Sequence, residues 1–141
     1  MNSSPALPAI QPYLFFEGRC AEAIEFYRTA LHAEVVTLMR FRDGPGPAQY
    51  PPGPEDKIMY ANLRIGRATV LVADGRCEGP ARFQGFALSL TVSSVTEADQ
   101  FFAALADGGQ IQMPLTQTFF SPRFGMVVDR FGVSWMVYVV A

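Results

Sequence analysis

Few side chains in this sequence are equipped for catalysis, and their types and spacing limit what they could do. His32 is the only histidine. It falls just past a stretch with helical periodicity, so it could act as a general base only if it faced a cavity. A surface or capping role at the end of that helix is the expectation. Cys20 and Cys77 are the only cysteines and belong to no CxxC pair, which sets zinc and dithiol redox chemistry aside. Two free thiols are expected. Cys20 stands near the start of the first helical stretch, where the positive dipole end favours a thiolate. No histidine or aspartate neighbours it in the sequence, so a passive thiol is expected. No GxSxG turn is present to expose a serine nucleophile. Arg64, Arg123 and Asp129 are the charged residues best placed to reach the rim of a cavity, with a solvent-facing role as the simpler expectation.

The elements that must position these residues repeat. Glu22-Ala23-Ile24-Glu25-Phe26-Tyr27 recurs as Glu97-Ala98-Asp99-Gln100-Phe101-Phe102, 75 residues further on and about half the chain away. Apolar residues continue with helical spacing at Ile24, Tyr27 and Leu31 in one copy and at Ala98, Phe101, Phe102 and Leu105 in the other. Tyr13-Leu14-Phe15-Phe16 leads into the first helix and Ala87 to Val92 into the second, both rich in strand-forming residues. Each helix ends on a breaker, Leu31-His32-Ala33 or Asp107-Gly108-Gly109. Three strands are then expected in each half: Glu34 to Phe41, Ile58 to Ile65 and Ala68 to Ala73, then Ile111 to Leu115, Phe124 to Asp129 and Val133 to Val140. Gly66-Arg67 and Arg130-Phe131-Gly132 read as hairpin turns. Asp74 to Pro80 reads as the connector. The proline- and glycine-rich stretch from Asp43 to Pro54 cannot continue a strand and is expected to be a mobile loop, either a lid or a passive insertion.

Composition narrows the classes of function. Half of the 141 residues are hydrophobic and 17% are charged, enough to build a core and too little charge for a disordered chain. The formal net charge is -2 with scattered Lys and Arg, so no basic stripe awaits a phosphate backbone and nucleic acid is an unexpected partner. The first residues show no signal peptide and no segment approaches the length of a membrane span, so a soluble cytoplasmic protein is expected and no membrane partner.

A repeated βαβββ unit of this length resembles the vicinal oxygen chelate superfamily, which includes glyoxalases, extradiol dioxygenases and bleomycin-resistance proteins. The stretches Pro12 to Tyr27, Gly85 to Leu90, Met113 to Phe120 and Phe124 to Trp135 resemble its PhnB-like branch, often labelled 3-demethylubiquinone-9 3-methyltransferase-like. The likeness covers nearly the whole chain. Three positions depart from the branch pattern: His32 stands where Gly is usual, Tyr60 where His is frequent, and Phe120 where Trp is frequent. The superfamily's metal enzymes take one His, Gln or Glu from each of four strands. The resemblance puts those positions at or beside Pro12, Leu71, Ala87 and Met136. None of these is such a ligand, and a slip of one residue adds only Gln11, so no metal and no cofactor are expected. Methyltransferase activity is also unexpected, because Glu17-Gly18-Arg19 does not supply the Gly-rich turn of a doubly wound S-adenosylmethionine site.

These readings lead to an α+β chain of two βαβββ modules whose curved mixed sheets surround a cavity. A tail of residues 1–8 is followed by modules 9–78 and 79–141. By strand alternation and the resemblance, Leu14, Tyr60, Asn62, Leu88, Phe120, Phe124, Trp135 and Tyr138 are expected to line the cavity, although each alone would equally suit a core or an interface. The expected function is metal-free binding of a small molecule, in the manner of bleomycin-resistance proteins. A metal-dependent lyase or isomerase acting on a small oxygenated substrate and a structural or regulatory dimer with a vestigial cavity are the alternatives. A homodimer is expected because Trp135 to Val140 is apolar on both faces and open sheets need cover.

Overall fold

The computed structural model describes residues 7–43 and 55–140. The expected loop from Asp43 to Pro54 therefore lies, except for Asp43, outside the described residues. The first half runs β1 (Tyr13–Phe15), α1 (Cys20–Leu31), β2 (Glu34–Arg40), a single 3₁₀ turn (Phe41–Asp43), β3 (Ile58–Ile65) and β4 (Ala68–Ala73). The second runs β5 (Leu88–Val92), α2 (Val95–Ala106), β6 (Gln110–Thr116), β7 (Phe124–Val128) and β8 (Ser134–Val139). Each half forms one four-stranded mixed sheet, with orders β1-β4-β3-β2 and β5-β8-β7-β6. In both, the strand before the helix pairs parallel with the last strand, and the remaining pairs are antiparallel. The expected α+β architecture of two βαβββ units is the one observed.

Local sequence explains the elements. Ala23, Ile24, Tyr27, Ala30 and Leu31 recur at the spacing of one helix face, and that face is buried. Helix α1 ends at His32, whose φ of 57° is left-handed. Helix α2 starts at Ser94, whose hydroxyl accepts the Glu97 N–H at 3.1 Å, while the Glu97 carboxylate reaches back to the Ser93 N–H at 3.3 Å. Both predicted hairpin turns carry a glycine at positive φ, Gly66 at 59° and Gly132 at 93°. Edge strand β6 contains Pro114 and two register shifts against β7, features that blunt an exposed edge.

The halves meet through the helix sides of their sheets in one core. Rings of Phe16 and Phe131 lie 5.7 Å apart, and those of Tyr27 and Trp135 also 5.7 Å. Asp129 sits in this core and is 3% exposed. Its carboxylate accepts from the Tyr27 hydroxyl at 2.5 Å, the Trp135 indole N–H at 2.9 Å, and the backbone N–H groups of Phe131 and Val133 at 2.9 and 3.1 Å. The expectation that Asp129 reaches a cavity rim is thus corrected. Four donors supply what a buried carboxylate requires, and one of them bridges the two halves.

Candidate functional site

Each sheet keeps one face on the core and turns alternate residues to the other, here called its open face. On the first sheet, Tyr13, Leu71, Asn62 and Thr37 form one cross-strand row of that open face. Phe15 and Tyr60 flank it. The Tyr13 ring stacks on Phe15 at 5.0 Å and tilts toward Tyr60 at 6.4 Å. Burial, and then the nearby Tyr60, raises the Tyr13 pKa, so the Tyr13 phenol stays a neutral donor at ordinary pH.

The second sheet carries two rows on its open face. One is Ser89, Met136, Met126 and Met113; the other is Thr91, Tyr138, Phe124 and Thr116. Phe120 closes over the second row, 5.2 Å from the Phe124 ring and 6.4 Å from Tyr138. A tight turn holds it there. The N–H groups of Phe120 and Ser121 donate to the Thr118 hydroxyl, and the Thr118 N–H donates to the Ser121 carbonyl at 2.9 Å. The same turn leaves Phe119 100% exposed.

Five of the eight expected lining residues stand on open faces: Tyr60 and Asn62 on the first sheet, Phe120, Phe124 and Tyr138 on the second. The last three are brought into mutual contact. Leu14, Leu88 and Trp135 are not on these faces. Leu14 is 3% exposed and Trp135 is 4% exposed, both in the core, and Leu88 pairs with Trp135 and packs against that core. Alternation gives the period of a strand, but only the helix above the sheet decides which phase faces inward. The opposite phase brings in Tyr13, Phe15, Met113 and Met126, residues that sequence reasoning missed.

The positions expected for metal ligands do not fit a divalent first-row ion. Leu71 and Met136 lie on the open faces, and Pro12 and Ala87 stand just before β1 and β5. None offers an imidazole, carboxylate or thiolate. Among the described residues no group of three or more His, Cys, Asp or Glu gathers to hold an ion.

Other candidate groups have plain partners. Cys20 opens α1 but is fully buried, and its N–H donates to Asp74 Oδ1 at 2.8 Å. Burial first, and the Asp74 carboxylate second, push its thiol far above the ordinary range, so the dipole effect expected there is outweighed. Cys77 is exposed, and both thiols are free. His32 is exposed, caps α1 and sets its ring 5.9 Å from Phe101. Arg64 pairs with Glu34 at 3.9 Å and Arg123 with Asp99 at 3.6 Å.

Two βαβββ halves with open sheet faces define the glyoxalase/bleomycin-resistance/dioxygenase class of fold. A domain of that description from Frankia sp. EAN1pec superposes with a TM-score of 0.62 at 14% identity, over 99% of this chain and all of its own, a likeness of fold alone. The family described as 3-demethylubiquinone-9 3-methyltransferase matches residues 8–138, and the chain belongs to this PhnB-like family. Protein YjdN of Escherichia coli K12 is 37% identical over 139 residues, covering 93% of this chain and 95% of YjdN. The crystal structure of protein PA1353 from Pseudomonas aeruginosa aligns with a TM-score of 0.80 at 41% identity, covering 94% and 98% of the two chains. A PhnB protein from Bacillus cereus, described as a putative 3-demethylubiquinone-9 3-methyltransferase, aligns at 0.78 and 28% identity, covering 94% of this chain and all of its own. Among the described residues no helix is long and apolar enough to cross a membrane.

Proposed function

We propose that this chain is a small-molecule binding protein of the glyoxalase/bleomycin-resistance type that holds a planar, largely apolar ligand without a divalent metal. The observation that carries this reading is the cluster of Phe120, Phe124 and Tyr138 on the open face of the second sheet, fixed from behind by the Thr118 turn. Aromatic rings held in place offer stacking surface at little cost in side-chain entropy, and the Tyr138 hydroxyl with Thr91 and Thr116 beside it gives polar anchors. Tyr60 and Asn62 supply the corresponding polar groups on the first sheet. The Tyr13–Leu71–Asn62–Thr37 row of the first sheet and both rows of the second carry no histidine or carboxylate, and the Glu34 carboxylate further along the first sheet's open face is paired with Arg64, so the reading asks for no proton transfer.

The functional unit in this reading is a homodimer. Tyr13, Phe15, Met113 and Phe120 are all exposed large apolar groups on open faces. Contiguous apolar faces of this kind mark surfaces that are covered in use. A second copy laid over them would turn two shallow faces into walls of an enclosed cavity. Two unpaired thiols support residence in a reducing compartment, the cytoplasm.

The reading is tested by thermal shift. A panel of planar aromatic compounds is screened against chelator-treated protein, and hits are repeated on Phe124→Ala and Tyr138→Ala. Hits should raise the melting temperature of the parent protein and lose that effect in both variants. Stabilisation that survives both substitutions would place the ligand elsewhere.

A further inference from the structure

Three of the chain's six methionines stand side by side on the open face of the second sheet. The register pairs Met136 of β8 with Met126 of β7, and Met126 with Met113 of β6. Paired residues in antiparallel strands hold their Cβ atoms about 4.5–5.5 Å apart. Methionine is long and unbranched, so the two outer thioethers can lean toward the central one.

The row depends on an irregularity in the ladder. Ile111 pairs with Val127, so an unbroken ladder would set Gln112 opposite Met126 and turn Met113 toward the helices. A register shift between Ile111 and Met113 puts Met113 opposite Met126 instead. Bulges re-aim side chains in this way. Here the shift exchanges an amide for a third thioether.

The surroundings select the chemistry. The neighbours in the two rows are Ser89, Thr91, Thr116, Phe124 and Tyr138, with no carboxylate or imidazole to attract a hard or borderline ion. Thioether sulfur is a soft donor that favours Cu(I), and the flanking aromatic faces suit a single positive charge. We infer that Met113, Met126 and Met136 form a binding site for a soft monovalent metal ion of the Cu(I) class. The site shares a sheet face with the proposed organic ligand but rests on different atoms.

The test uses Ag(I), a redox-inert stand-in for Cu(I), in chloride-free buffer. The exposed Cys77 thiol would itself take a soft ion, so the full chain carries Cys77→Ser. Methionine methyl groups labelled with carbon-13 are followed by NMR, and affinity is read by competition with a chromophoric chelator. The methyl signals of Met113, Met126 and Met136 should shift together and saturate at one ion per chain. The Met39 signal should stay in place, and Zn(II) should move none of the three. Met126→Leu, a volume-conserving change, should keep the fold. It should lower Ag(I) affinity by no less than the roughly tenfold typical of outer-shell changes, while Met39→Leu leaves it unaltered. Unmoved methyl signals, or unchanged affinity in Met126→Leu, would overturn the site. Either failure leaves the organic-ligand reading intact, because that reading is measured by thermal shift in the absence of metal.

Discussion

Asp129 shows how far a single residue's role lies from its sequence position. Its neighbours in the chain suggest a solvent-facing turn, yet its hydroxyl donor, Tyr27, is 102 residues away. No local pattern encodes that partner. Substituting Asp129→Ala would strand the Tyr27 hydroxyl, the Trp135 N–H and two backbone N–H groups in the core. Each buried orphan costs about 1–3 kcal/mol, so the loss should reach about 3 kcal/mol or more. Tyr27→Phe removes one donor to a charged group and should cost about 1.5–3 kcal/mol. Urea unfolding of both variants checks the order; equal small losses would mean the network is not a joint between the halves. The same contact predicts a pH dependence. Burial first, with Asp129 adding to it, raises the Tyr27 pKa well above its ordinary value. The unfolded chain therefore releases a proton that the folded chain keeps. Stability from this group is present below a pH of about 10, and it is lost as pH rises beyond that. Denaturation between neutral pH and 11 should show a flat region followed by a fall, and Tyr27→Phe should flatten the fall.

At the scale of elements much was legible. Strands β3 and β4 match their expected bounds, and both helices follow the apolar spacing of the repeat. His32 caps a helix, as its position after Leu31 suggests. Face assignment was less accessible. Leu14, Leu88 and Trp135 share a strand period with residues of the open face but stand one position out of phase with it. The bulge before Met113 reverses the phase of β6 midway, so even a correct phase at Ile111 would mislead at Met113. Pro114 and the two shifts in one edge strand leave no regular alternation to read. Helix α2 offers a direct check on local encoding, because its start rests on the Ser94 hydroxyl. Ser94→Ala should destabilise the protein by about 1 kcal/mol. A change under a few tenths would mean that the neighbouring Glu97 contacts with Ser93 suffice to begin the helix.

At the scale of the whole molecule, the two halves spend their helix-side faces on each other and leave the opposite faces of both sheets open. Sedimentation at micromolar concentration should therefore give the mass of two chains, and Phe15→Asp with Met113→Asp should shift it toward one. A wild-type monomer would remove the second wall from the proposed cavity. The proposed cavity relies on aromatic and polar side chains with no divalent ion, since Pro12, Leu71, Ala87 and Met136 occupy the positions where ligands are expected. A resident ion binds only the folded state, so removing it lowers stability by an amount set by its affinity. The most direct measurement is the melting temperature before and after exhaustive dialysis against a divalent-metal chelator, then again with Zn²⁺, Ni²⁺ or Mn²⁺ added. The same melting temperature is expected in every sample. A fall of several degrees that one of these ions restores would overturn metal-free binding and put a metal-dependent lyase or isomerase in its place.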